Sequence, residues 1–162
     1  MADLKTQYMG IELDNPIIAG ASVLTSNMDT IKKLEDNGAA AIVIKTLFEE
    51  QVQYERFQFE DDLTTYDEWH SEMTNIFPEI EHAGPEEHLM WTKRAKEAVS
   101  IPVIASLNAV SQETWVEYAK KLEETGVDGL ELNFYSLMVD PDIEGTEIER
   151  EEIAAIKEVK KA

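Results

Sequence analysis

Four polar residues close four apolar runs in this chain. Ser22 follows Pro16–Ala21, Lys45 follows Ala41–Ile44, Asn108 follows Val103–Leu107 and Asn133 follows Gly129–Leu132. A carboxamide donates and accepts at once, so Asn108 and Asn133 suit the N–H and C=O groups of a ring. An unpaired buried ammonium is too costly to persist, which leaves two readings open for Lys45. It forms an ion pair with Glu131, or it reaches a polar mouth and an electron-rich ligand. Ala19, Gly20 and Ala21 are small enough for a flat ligand to lie on their backbone, although tight packing of the first strand explains them equally. The expectation is that Gly20, Lys45, Asn108 and Asn133 converge at one rim of a curved parallel sheet.

Other chemistries lack their residues. No glycine-rich dinucleotide fingerprint, phosphate loop or serine nucleophile elbow occurs. His70, His82 and His88 have no metal-ligand spacing and read as solvated loop or helix-start residues, so no metal is expected. The absence of cysteine excludes disulfides, thiolate ligands and thiol nucleophiles. With 34 acidic against 14 basic residues the net charge is −20, the wrong sign for nucleic acid. No run is long and apolar enough to span a membrane, and the first residues lack a secretory pattern, so a cytoplasmic protein is expected.

The elements that position these residues alternate between strand and helix. Tyr8–Asn15 has hairpin character, with turn formers at Gly10 and Asp14-Asn15. Strand one is Pro16–Ala21. The first helix opens on Ser26 with Asp29 and ends at Asn37-Gly38. Strand two is Ala40–Thr46, apolar in its first half as a parallel strand covered on both faces must be. Residues 48–83 are far too long for an ordinary βα connection and predict an inserted loop or lid. From Phe48 to His88 there are 13 Asp and Glu against one basic residue, Arg56, which fits either a solvated surface or a lid over a positive site. Helix two starts at Gly84-Pro85 and runs to Val99. Strand three is Pro102–Leu107. Helix three begins at Ser111 and places Trp115, Tyr118, Ala119 and Leu122 on one face. After strand four, Thr146 and Glu149 predict a capping box, with Ile153, Ile156 and Val159 on the buried side.

An internal repeat supports the alternation. Lys32–Gly38 and the strand after it match Lys120–Gly126 and its strand without a gap. Lys45 therefore maps onto Asn133 and Val43 onto Glu131. A reused α-then-β unit is the building block of a (β/α)8 barrel, although a doubly wound sheet shares it. The fold expected is α/β: the first four βα units of such a barrel in a single 162-residue domain, with an N-terminal hairpin and the acidic insertion.

Taken in order, Asn15–Ser22, Lys45-Thr46, Ile101–Ser106 and Gly129–Asn133 resemble the dihydroorotate dehydrogenase family, class 1 and its dehydrogenase-like relatives. The resemblance runs from about Tyr8 onward and spans only the amino-terminal half of that family's barrel. It implies an FMN-dependent oxidoreductase that removes hydride from a dihydropyrimidine-type substrate. It further implies that Ala19, Gly20 and Ala21 back the flavin, that Lys45 and Thr46 touch flavin and substrate, that Asn108 contacts the flavin and that Asn133 contacts both. The stretch Asn75–Gly84 resembles the substrate loop, with Asn75 on the pyrimidine.

Two departures qualify the likeness. Ser136 stands at the position of the family's catalytic base, but the Pro-Asn that follows it there is absent, which puts dihydroorotate itself in question as the substrate. Family members also hold the FMN phosphate with loops after strands seven and eight. The resemblance thus implies weak FMN binding by this chain alone and a separate carboxyl-terminal half as partner. A competing expectation is a flavin-free half-barrel that assembles as a homodimer or larger oligomer through its open sheet edges.

Overall fold

The computed structural model describes residues 3–49, 84–109, 111–135 and 143–162. Most of the expected acidic insertion, with Asn75, and Ser136 lie outside these residues. Strands β1 (Thr6–Tyr8) and β2 (Ile11–Leu13) form the expected hairpin. Its two turn residues, Met9 and Gly10, have φ of 54° and 81°. Two left-handed residues in succession match the twist of a tight hairpin. Beyond it, the Asn15 amide holds both Ile17 N–H (2.9 Å) and the Gly38 carbonyl (3.0 Å), tying the entry of the next strand to the end of the first helix.

A parallel sheet follows. It contains β3 (Ile18–Ala19), β4 (Ala41–Val43), β5 (Leu47–Phe48), β6 (Val103–Asn108) and β7 (Gly129–Leu132). β7 occupies one edge of β6 from Ile104 to Leu107, so β4 and β5 share the other edge, with β3 beyond β4. Chain order is thus spatial order, as expected of successive βα units. Strand one is shorter than expected at both ends, strand two is interrupted, strand three is shifted one residue forward to end at Asn108, and strand four is as expected. Ile42 and Val43 pair with Val103 and Ile104, whereas Leu47 and Phe48 pair with Leu107 and Asn108. From Val43 to Leu47 is four steps and from Ile104 to Leu107 three. One extra residue between them makes a bulge around Lys45.

Helices α1 (Met28–Asp36), α2 (Gly84–Ala98), α3 (Gln112–Glu123) and α4 (Gly145–Lys161) connect or follow the strands. Val103, Ile42 and Ile44 pack with Ile31 of α1 and Ala95 of α2. Ala105, Leu107 and Leu47 pack with Trp115, Tyr118 and Leu122 of α3, and the Trp115 and Phe134 rings lie 4.6 Å apart. Alternation then turns Ile104, Ser106 and Asn108 to the opposite face of β6.

Caps depart from expectation in two places. Asn27, not Ser26, opens α1, because its Oδ1 accepts from Asp29 and Thr30 N–H, while Ser26 donates to the Val23 carbonyl in a preceding 3₁₀ turn. α4 begins at Gly145 with Glu144 before it, and Thr146 bonds back to Glu144 rather than to Glu149. Its buried face centres on Ala155 and Val159, and Ile153 and Ile156 remain exposed. The Ser111 cap of α3 is as expected, with Thr114 N–H on its Oγ. Between elements, the Glu35 carboxylate accepts from Ser100 Oγ (2.5 Å), Ser100 N–H (2.7 Å) and Ile101 N–H (3.3 Å). Those donors, the Ser100 side chain foremost, hold the Glu35 carboxyl below its ordinary value. Among the described residues no helix is long and apolar enough to cross a membrane.

The repeat is visible in the backbone. Gly38 and Gly126 end α1 and α3 at φ of 91° and 83°, each donating its N–H to the carbonyl three residues earlier. Gly126→Ala adds a Cβ that meets nothing within 4 Å among the described residues, so its cost is that of the left-handed backbone. The expected loss is about 1–2 kcal/mol in urea unfolding. An unchanged midpoint would show that the repeated cap does not need glycine.

Candidate functional site

The four anticipated residues sit at or just beyond the carboxyl ends of parallel strands, at one end of the sheet. Asn108 closes β6 and is only 1% exposed. Its Nδ2 donates to the Asn133 carbonyl at 2.7 Å, which joins the ends of β6 and β7. Its Oδ1 is buried without a hydrogen-bond partner among the described residues. An orphaned carbonyl oxygen is destabilising unless something donates to it, so this atom is a ready acceptor. Asn133 is exposed and uses its own N–H on the Leu107 carbonyl (2.8 Å).

One step back along β6, a side-chain chain crosses three strands. Thr46 Oγ1 and Ser106 Oγ are 2.9 Å apart, and Ser106 Oγ donates to Glu131 Oε1 at 2.7 Å. Glu131 is thereby engaged with a hydroxyl. Among the described residues Lys45 has no carboxylate at ion-pair distance, so of its two readings the ion pair with Glu131 is absent. The bulge explains this. Strict alternation would put Lys45 on the face of Val43, but the extra residue gives that place to Thr46 and leaves Lys45 exposed.

Sequence reasoning missed His88. It was expected to be solvated, yet it is half-buried on α2 with Nε2 2.9 Å from the Lys45 carbonyl. A carbonyl only accepts, so Nε2 carries the hydrogen. Fully buried Thr92 donates to the His88 carbonyl at 2.8 Å, one turn along the helix. Burial is the main force pushing the His88 pKa down; the Lys45 carbonyl opposes it, and the Lys45 charge adds to the lowering. The contact joins residues 43 apart, and no local pattern announces it.

The remaining positions are less connected. The Ala19 methyl packs toward the helix-side core with Ile42, leaving its backbone as the group a ligand would meet. Gly20 is exposed, and a methyl there would meet nothing within 4 Å among the described residues. Close packing therefore does not account for Gly20. Ala21 and Ser22 are exposed, and Ser22 takes part in the 3₁₀ turn with Thr25. No cluster of three or more metal-ligating side chains occurs among the described residues.

The site can offer acceptors at Thr46 and Asn108, an ammonium at Lys45 and open backbone at Gly20. Acceptors and a donor of this kind complement the N–H and C=O groups of a polar ligand. No family model matches the chain. Curated relatives do. The catalytic subunit of dihydroorotate dehydrogenase B (NAD(+)) from Thermoplasma volcanium is 34% identical over 137 residues, covering 82% of this chain and 42% of that protein. Its counterpart in Thermoplasma acidophilum is 33% identical over the same shares. The NAD-dependent dihydropyrimidine dehydrogenase subunit PreA of Escherichia coli K12 is 30% identical over 135 residues, 82% of this chain and 32% of that subunit. The chain spans less than half the length of these relatives.

The lowered His88 pKa has a direction that can be checked. Above the ordinary imidazole value of 6.5 both folded and unfolded chains carry it neutral, and it contributes nothing. Below that value the unfolded chain takes up a proton that the folded one resists, so stability falls with pH until the folded pKa is passed. Urea midpoints should drop more in the wild type than in His88→Gln between about pH 7 and about pH 5.5. Parallel curves for the two proteins would count against a buried neutral imidazole.

Proposed function

The chain is a partial-length homologue of the dihydroorotate dehydrogenase family, and on that premise we propose that it is the amino-terminal half of an FMN-dependent oxidoreductase acting on a dihydropyrimidine-type ring. The observation that carries the reading is the buried Asn108 Oδ1 at the end of the central strand, unpartnered among the described residues and joined through the same amide to Asn133. The consecutive parallel order of the strands supports the first four units of a (β/α)8 barrel, in which function gathers at the carboxyl ends.

FMN supplies a hydride acceptor when bound. Ala19, Gly20 and Ala21 would offer it backbone, Lys45 and Thr46 an ammonium and a hydroxyl, and Asn108 and Asn133 their amides. Lys45, Asn75 and Asn133 would hold the substrate ring. Ser136 is the candidate for removing the proton next to the departing hydride. His88 positions Lys45 from behind by holding its carbonyl. The phosphate grip would come from a complementary carboxyl-terminal half, so this chain by itself binds flavin weakly.

Flavin fluorescence tests this directly. FMN titrated into the chain should give weak, saturable binding that Asn108→Ala and Lys45→Ala each reduce about tenfold, and that tightens on adding a carboxyl-terminal half taken from a relative. Binding absent in both settings, or indifferent to both substitutions, would defeat the flavin reading.

A second reading has its own observation. Among the described residues β3 and β7 each pair on one side only, and Val23, Leu24, Ile153 and Ile156 are exposed. Open edges together with exposed apolar side chains favour self-assembly, as a flavin-free module that dimerises through its sheet. Light scattering at micromolar concentration should then report a dimer or larger species, and a monomer would rule this reading out.

A further inference from the structure

The chain Thr46–Ser106–Glu131 has a direction. A carboxylate oxygen only accepts, so the single hydroxyl hydrogen of Ser106 is committed to Glu131 Oε1 at 2.7 Å. The 2.9 Å contact between Ser106 and Thr46 then requires a hydrogen from Thr46. Ser106 is completely buried, and no second arrangement satisfies both contacts. Thr46, which is half-buried, is left with lone pairs only. On the same face of β6 as Ser106, Asn108 Oδ1 is a second acceptor, without a donor among the described residues.

We propose that Glu131, acting through Ser106, sets the hydrogen-bond polarity of this site, holding Thr46 as an obligatory acceptor so that the site selects planar heterocycles by their imide N–H. Thr46 is the specificity-determining group, and Ser106 and Glu131 are positioning residues that act through it. This rests on the heterocycle-binding reading above and adds which edge of the ring is recognised. The imide N–H is shared by a pyrimidine ring and by the flavin ring, and the test separates the two.

The experiment uses the full chain and two pairs of probes, 1-methyluracil with 1,3-dimethyluracil and lumiflavin with 3-methyllumiflavin, with affinities read from NMR shift titrations. In the wild type one probe with a free imide N–H should bind about tenfold tighter than its imide-methylated partner, the size expected of one hydrogen bond to a buried acceptor. The pair that discriminates identifies the ring. Glu131→Ala and Thr46→Val should bring that ratio close to one while leaving the imide-methylated probe unchanged. Glu131→Gln, whose Oε1 still accepts from Ser106, should keep most of the selectivity, an outcome that general loosening of the fold would not give. A wild-type ratio near one, no binding of any probe at millimolar concentration, or a ratio indifferent to Glu131→Ala overturns the proposal. If FMN binds the paired halves yet Glu131→Ala keeps full selectivity, this inference fails alone. If selectivity responds to Glu131 but the paired halves ignore FMN, the flavin reading fails alone.

Discussion

Strand β6 is buried along its whole length, yet two of its six residues are polar. A central parallel strand has both edges engaged and both faces covered, so Ser106 and Asn108 must find partners inside the sheet or remain unsatisfied. Ser106 bridges to both neighbouring strands through Thr46 and Glu131. Asn108 anchors β7 with its N–H and keeps an oxygen in reserve. Placing polarity at the carboxyl end of a strand that is otherwise Val, Ile, Ala and Leu concentrates the directional interactions where the strand ends gather. The hydrophobic half stabilises the sheet, and the polar half specifies what may sit on it.

The bulge between Val43 and Leu47 serves the same separation. Without it Lys45 would take the place that Thr46 now holds and compete for Glu131. The extra residue moves the ammonium out and puts a neutral hydroxyl in its place. His88 then stabilises an irregular carbonyl that regular pairing no longer reaches. A histidine donor within the field of a lysine is favoured in its neutral form, which suits a group whose task is to hold backbone rather than to carry charge.

Much of this was legible in the residues because parallel strands advertise themselves as apolar runs. The runs ending at Asn108 and Asn133, the repeated glycine caps and the face Trp115, Tyr118, Ala119, Leu122 all follow from local period and turn chemistry, and the structure has them. What local pattern misses is register. Nothing in Ile44-Lys45-Thr46 shows that one residue is surplus, since a bulge exists only relative to the partner strand. The same limit hid His88, whose acceptor lies on another element. Asn27 displaced Ser26 as a helix cap because a 3₁₀ turn claimed the serine first. Ile153 and Ile156 were expected inside since their spacing is right, but α4 turns Ala155 and Val159 toward α3 instead.

The hairpin at the start of the chain reaches Gly129 near its far end. The Met9 methyl lies so close that any side chain there would crowd it, and Ile11 touches the same spot. Met9 and Gly129 therefore meet across most of the intervening strands and helices. Contacts of such wide sequence separation form slowly because a long loop must close before they yield anything. Ile11 already packs with Leu13, Ala40 and Ala41, whereas the Met9 contact on Gly129 closes only when β7 has joined the sheet, so the hairpin is fastened to the fold in two separate steps.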